Sequence, residues 1–233
     1  MSAGGEQKLS NIGMLETLPA DQLTKLEGIA KWRNYSGHEQ IIDRDSDSRD
    51  VYFVTRGRVR VVNFSYSGRE VSYDEIVEGG VFGELAAIDE APRSANVIAL
   101  KDTTVASVSP AQFQQLLADN PKFALSIMRR LVQIVRGSTD RIMDLSTLGA
   151  YNRVYAEILR LAREAEEDED GKAVIKPAPI HSNVASRSGT TRETVARALS
   201  DLSRKDIVKR DGDNLAILDM WELEEIVEGH GDA

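Results

Sequence analysis

From Tyr35 to Leu100 glycines cut the chain into short runs rich in β-branched and aromatic residues, and this spacing limits the fold more than any other feature. Gly37, Gly57, Gly68 and the Gly79-Gly80 pair punctuate Val51-Tyr52-Phe53-Val54, Val59-Arg60-Val61-Val62 and the run from Ser94 to Leu100. Many short strands at near-regular spacing, with turn signals between them, predict an antiparallel barrel or roll. Ser65-Tyr66-Ser67-Gly68-Arg69 reads as a hairpin tip. Upstream, Leu9 to Trp32 reads as short helices, with Leu23, Leu26, Ile29 and Ala30 recurring at helical spacing. Downstream, Ser109 is placed to cap a helix that carries Pro110 at its first position. A long helix is expected from 121 to 148.

Composition narrows what such a barrel can do. At 233 residues the chain has room for two domains with their own cores. It contains no cysteine, which excludes disulfides, thiolate-held clusters and Cys-rich zinc sites. A cupin-like metalloenzyme would need several inward histidines, and only His38 lies in this half. With no supported Ser/His/Asp arrangement either, neither an enzyme nor a metal protein is expected. A net charge of −9 argues against indiscriminate adhesion to nucleic acid or anionic lipid, so any DNA contact must come from a local basic patch. No apolar run is long enough to span a bilayer, and Met1 to Glu6 has no basic region leading into an apolar stretch. A cytoplasmic protein with no membrane partner is expected.

The densest chemistry in the barrel half is Val81-Phe82-Gly83-Glu84-Leu85-Ala86, closed by Pro92-Arg93-Ser94-Ala95. Gly83 permits close backbone approach, and the amides opening the next turn would point free donors at an anion. Arg93 brings a planar, permanently charged fork suited to phosphate, and Ser94 adds a hydroxyl. Glu84 makes sense near an anion only if the ligand also carries hydroxyls. The run resembles the phosphate-binding cassette of cyclic-nucleotide-binding domains. The resemblance implies that Glu84 accepts from the ribose 2′-hydroxyl and Arg93 pairs with the cyclic phosphate. Gly83, Leu85, Ser94 and Ala95 would supply backbone and hydroxyl contacts. Val61 is either a core valine or a wall for the base.

Along the long helix Ile127, Leu131, Ile134, Ser138, Ile142 and Leu145 recur at intervals of three and four, a coiled-coil seam. Gly137 weakens it locally by about 1 kcal/mol relative to alanine. Ser138 and Thr139 put hydroxyls where plain packing prefers leucine; they either fix a dimer's register or touch a ligand. Leu148-Gly149-Ala150-Tyr151 is a candidate hinge, with a new helix from Asn152 to Glu164. The acidic run from Ala165 to Gly171 reads as a solvated tip.

The second chemistry lies between Ile180 and Leu199. Ser182 is placed to cap a short helix, Gly189 to end it, and Thr190 with Glu193 to form a capping box for the next. Val195, Leu199 and Leu202 give that second helix a buried face, leaving Arg192, Glu193 and Arg197 at its exposed head. Helix, glycine turn, helix is a helix-turn-helix, whose second helix enters the major groove. Lys205 to Leu215 reads as the hairpin of a winged variant. Arginine can donate to guanine O6 and N7, and glutamate can accept from the cytosine amino group.

Both motifs, in this order around a long helix, resemble the Crp–Fnr family of bacterial transcription regulators, in particular cAMP receptors and the Clr type that answers cAMP and cGMP. The resemblance implies an α+β chain in three parts. Residues 1-120 form a cyclic-nucleotide-binding β-roll, 121-149 a dimerisation helix and hinge, and 150-233 a winged helix-turn-helix domain. It implies a homodimer in which Ser138 and Thr139 meet the base across the seam. Arg192, Glu193 and Arg197 would read a palindromic, TGTGA-like operator in double-stranded DNA. Thr191, Thr194, Ser182 and His181 would contact phosphates, and RNA polymerase would be a further partner. Ile134 stands where enteric relatives have an arginine, so that ligand-side contact is expected to be missing. Ser94 after the arginine makes cGMP plausible beside cAMP. Two other readings stay open: a regulator of this fold with no cyclic nucleotide, and a cyclic-nucleotide module that does not bind DNA.

Overall fold

The computed structural model describes residues 8–167 and 172–229. The first seven residues and most of the acidic tip lie outside the described residues. The chain divides into two compact units, one up to Ile134 and one from Val135 onward.

The first unit opens with α1 (Ala20–Ile29), then β1 (Lys31–Tyr35), β2 (Gln40–Ile42), β3 (Val51–Arg56), β4 (Arg58–Phe64), β5 (Glu70–Val77) and β6 (Val81–Phe82). A short α2 (Glu84–Asp89) precedes β7 (Asn96–Ala99) and β8 (Thr103–Val108), and α3 (Pro110–Asp119) leads into α4 (Pro121–Thr147). The strands form two four-stranded antiparallel sheets, ordered β1-β8-β3-β6 and β2-β7-β4-β5. The expected roll is therefore present. Strand structure starts earlier than the composition suggested, since Trp32 pairs with Ala106 in β1 instead of ending a helix.

Burial explains why β3 reads as an unbroken apolar run. Tyr52 and Val54 point between the sheets, where they meet Ile42, Val59, Ile76, Phe82, Val97 and Val105. Val51 and Phe53 point the other way, into a core shared with Leu26, Phe113, Phe123 and Ile127 from the helices. A strand covered on both faces has no polar face to alternate with. Ser109 caps α3 as expected, in a reciprocal box with Gln112.

The seam expected on α4 is corrected in its first half. Ile127 is buried at 2% exposure in the first unit's core, and Leu131 packs against the same cluster. The large apolar side chains left exposed on α4 are Leu125, Met128, Val132, Val135, Ile142, Met143 and Leu145. Met128, Val132 and Val135 each follow by one residue the positions read in the sequence, Ile127, Leu131 and Ile134, whereas Ile142 and Leu145 belong to that series and are exposed.

The second unit holds the end of α4, then α5 (Ala150–Arg163), β9 (Glu166–Glu167), β10 (Ala173–Ile175), α6 (His181–Arg187) and α7 (Arg192–Arg204). β11 (Val208–Asp211), β12 (Asn214–Ile217) and α8 (Met220–Glu228) complete it. Its sheet runs β11-β12-β10-β9, and the β11–β12 pair is the expected wing hairpin. The fifth helix begins at Ala150, two residues before the expected start, because Gly149 is its N-cap.

Two caps differ from expectation. Ser182 does not cap α6; the chain turns helical at His181, and the amides of Asn183 and Val184 already donate to Ile180. Thr191, not Thr190, caps α7, its Oγ1 accepting from the Thr194 amide at 3.2 Å. The Thr190 amide is spent closing α6 on the Ala185 carbonyl. Gly189, at φ +62°, supplies the left-handed residue that turn needs.

Candidate functional site

In the first unit β6 delivers the chain to Gly83, whose φ of +83° is left-handed and starts α2. A Cβ on Gly83 would lie 2.8 Å from Arg93 Nη1 and 2.9 Å from the Asp50 carbonyl. Glycine is required there for conformation and for space. The Arg93 guanidinium fills that space. Its Nη1 donates to the Gly83 carbonyl at 2.9 Å, and its Nη2 to the Asp50 carbonyl at 2.8 Å and to Ser48 Oγ at 3.2 Å. Tyr52, stacked on Phe82 at 5.0 Å, lies 5.9 Å beneath it.

Arg93 is 4% exposed, and among the described residues no carboxylate comes within ion-pair distance of it. Its Nε is buried without a partner. Burial pulls its pKa down, with Tyr52, Asp50 and Glu84 opposing at longer range. This is a fixed cation short of one acceptor and one counter-charge, and an anion supplies both.

Glu84, also 4% exposed, stands at the first position of α2. Burial raises its pKa, Arg130 lowers it, and Asp74 raises it again. Arg130 reaches in from α4 and donates to Asp74 Oδ2 on β5 at 3.3 Å. Arg130, a turn before Ile134 on α4, brings a cation close enough to Glu84 to lower its pKa. Leu85 and Ser94 are exposed, Ala95 is buried, and the Ser94 carbonyl accepts from Asn63 at 3.0 Å. Val61 is half-buried, opposite Asp74 and Val97, and packs on the inter-sheet core. Gly83, Glu84 and Arg93 thus form one site. Ser138 and Thr139 are exposed and belong to the second unit, where Thr139 Oγ1 donates to the Val135 carbonyl.

Sequence reasoning missed Ser48, Asp50, Tyr52, Asp74 and Arg130. Only Asp74 left a trace, as a charge in the parity of Ser72 and Ile76.

In the second unit Val195, Ala198 and Leu202 bury one face of α7, and the Tyr155 hydroxyl donates to Asp201 at 3.0 Å. Arg153 donates to the carbonyls of Leu148, Ser188 and Gly189, tying the end of α4 to the turn before α7. Thr191, Arg192, Glu193 and Arg197 are exposed on the other face, with Thr194 half-buried. The Glu193 pKa is lowered by its own backbone amide and by the Thr191 side chain. His181 and Ser182 begin α6, half-buried. Lys209 and Arg210 are exposed on the wing. An ordered row of donors and one acceptor at a helix head suits base edges in a groove.

Among the described residues no group of three His, Cys, Asp or Glu side chains could hold a metal, and no helix is long and apolar enough to cross a membrane. Residues 32–120 match the cyclic nucleotide-binding domain family, and residues 152–226 match the Crp-like helix-turn-helix domain. The chain is 24% identical to a CRP-like cAMP-activated global transcriptional regulator of Mycobacterium tuberculosis, over 80% of its own length and 83% of the relative's. It is 28% identical to the cyclic AMP receptor protein of Thermus thermophilus, over 77% and 80%. A mutant of CooA from Carboxydothermus hydrogenoformans shares the fold at a TM-score of 0.81 and 21% identity, over 96% of this chain and 97% of that one. The first of these relatives is named as a transcriptional regulator. With a cyclic nucleotide-binding domain and a Crp-like helix-turn-helix on either side of a long helix, the chain belongs to the Crp–Fnr family of regulators.

Proposed function

We propose that this chain is a homodimeric regulator that binds a palindromic, TGTGA-like DNA operator when a cyclic nucleotide occupies the barrel. Arg93 carries the reading. A buried guanidinium without a carboxylate is costly, and a cyclic phosphodiester offers it charge and acceptor together. Glu84 then suits the free 2′-hydroxyl of a 3′,5′-cyclic nucleotide. The names of the relatives put cAMP among the candidate effectors, and the solvent-facing Ser94 hydroxyl puts cGMP beside it without ranking the two. Leu85 and Ala95 complete the cassette, Val61 lines the wall, and Ser138 and Thr139 reach the base from the long helix.

The exposed stripe Leu125, Met128, Val132 and Val135, taken up again by Ile142 and Leu145, is what a second copy covers, since an apolar three-four seam seeks an identical partner. The expected division at 1-120, 121-149 and 150-233 follows from these roles. On α7, Arg192, Glu193 and Arg197 read bases, while Thr191, Thr194, Ser182 and His181 hold phosphates. Effector binding favours the dimer arrangement that sets the two recognition helices about 34 Å apart, one DNA turn. The coupling equals the effector's differential affinity for the two arrangements, so operator DNA tightens effector binding by the same factor. The protein works in the cytoplasm, with RNA polymerase as its further partner.

A gel-shift titration with a palindromic operator, with and without each cyclic nucleotide, tests this. Effector-dependent binding is expected. Equal affinity with and without effector would overturn the proposal.

A further inference from the structure

Several hydrogen-bonding positions on one stretch of barrel wall are unspent. Asp74 and Ile76 alternate along β5 on one side of a register shift that separates them from Ser72, and because Ile76 is buried, Asp74 shares its inward parity. Opposite it stands Val61, packed on the inter-sheet core. Asp74 Oδ2 accepts from Arg130, and Oδ1 accepts nothing among the described residues. The Asp74 side chain keeps 38% of its surface exposed, so it is open to a ligand. Arg130 Nε is buried without a partner, and so is Ser72 Oγ, on a residue 3% exposed. Buried polar groups left in this state are rare unless something completes them.

We infer that Asp74, oriented by Arg130, is the residue that selects the effector's base, and that it selects guanine over adenine. The inference rests on the cyclic-nucleotide reading above. With phosphate on Arg93 and ribose hydroxyl on Glu84, the base is the part of the effector still to be recognised. The charged groups that act on Glu84 apart from Arg93 are Arg130 and Asp74, so theirs is the polar wall beside the ribose acceptor. Guanine presents N1–H and its 2-amino group side by side, two donors that one carboxylate accepts. Adenine presents a single amino donor beside the N1 lone pair, which faces a carboxylate unfavourably. Arg130 Nε is a donor that guanine O6 or N7 can satisfy. A wall made for adenine would carry an amide, which donates and accepts in the same plane.

Calorimetric titration of the full chain with cGMP and cAMP, for wild type, Asp74→Asn and Asp74→Glu, tests this. Wild type is expected to prefer cGMP. Asp74→Asn should weaken cGMP by about 10- to 100-fold, the usual size of a bidentate discrimination, and leave cAMP unchanged or tighter. Asp74→Glu keeps the charge and should keep the preference, so it separates recognition from damage to the barrel. If Asp74→Asn binds both nucleotides with the wild-type ratio, or loses both by equal factors, Asp74 only braces α4 and the inference fails while the effector reading stands. If wild type binds neither nucleotide, the effector reading itself fails.

Discussion

Arg93 in the barrel is 4% exposed and donates to two backbone carbonyls, whereas Arg192 and Arg197 stand in solvent at the head of α7. One side-chain type serves two kinds of anion by opposite means. The barrel has already removed the guanidinium from water and fixed its plane, so a small ligand need not order it on arrival. The exposed pair keeps its water and counterions until a duplex displaces them, and affinity there follows salt. A single phosphate must be gripped tightly enough to move an equilibrium. A duplex offers many phosphates, so each arginine on α7 is free to discriminate among bases.

Removing the buried member should have the largest effect. Arg93→Ala leaves the Gly83 and Asp50 carbonyls without their donor and the effector without its counter-charge. Truncating one partner of a buried charge pair costs about 2–5 kcal/mol, so effector affinity should fall by that amount and effector-dependent operator binding should vanish. DNA affinity measured without effector should not change. Undiminished activation in a gel-shift titration of the variant would falsify the cassette assignment.

Two of the left-handed glycines, Gly83 and Gly189, extend the contrast. Gly83→Ala forces a side chain into φ +83° and against the Asp50 carbonyl at 2.9 Å, which is backbone and cannot yield cheaply. The conformational cost alone is about 1–2 kcal/mol, and displacement of Arg93 adds a loss of effector affinity. Gly189→Ala, at φ +62°, meets only the tip of Leu145 at 3.0 Å. It should lower the melting temperature by a similar conformational cost while leaving effector affinity intact. Thermal melts and calorimetry on both variants check the asymmetry; equal loss of effector affinity would contradict it.

On the exposed side, Arg192→Ala should cost about 1–3 kcal/mol at a single base position and relax discrimination there. Competition among operators altered one position at a time reads this directly. A uniform loss across all operators would make Arg192 a phosphate contact.

Much of this contrast was legible in the sequence, and what was not has physical causes. Gly83, Glu84 and Arg93 lie within one local run whose spacing alone suggests an anion site. Asp50, Ser48 and Tyr52 arrive only because β3 pairs with β6, and Arg130 only because α4 packs on the barrel. Helical period revealed α4 but not its orientation, since the helix carries two apolar stripes one residue apart. Ile127 and Leu131 are taken by the barrel, and Leu125, Met128 and Val132 are left outside. The α7 cap was misplaced by one residue because two adjacent threonines can both serve, and only the fold shows that the Thr190 amide is already committed.

The smallest expected effect is one of pH, and it falls on the buried side alone. Burial raises the pKa of Glu84, so in the effector-free protein its carboxyl is protonated at pH values where an ordinary glutamate is ionised. A ribose hydroxyl donates to the ionised form, so effector binding favours loss of that proton. Affinity should therefore weaken as pH falls through the raised value, by at most tenfold per unit. The stability of the effector-free fold runs the other way. A carboxyl whose folded pKa lies above its unfolded one, about 4.3, adds stability that is complete below 4.3 and lost as pH rises through the folded value. Glu84→Gln cannot titrate, so its effector affinity should be weaker throughout and flat across the same window. Operator affinity at saturating effector, which rests on the α7 side chains, should not follow the Glu84 curve. Calorimetric affinities and thermal melts from pH 5 to 8 measure both slopes. Parallel slopes in wild type and Glu84→Gln would place the proton on another group and remove Glu84 from the effector's contacts.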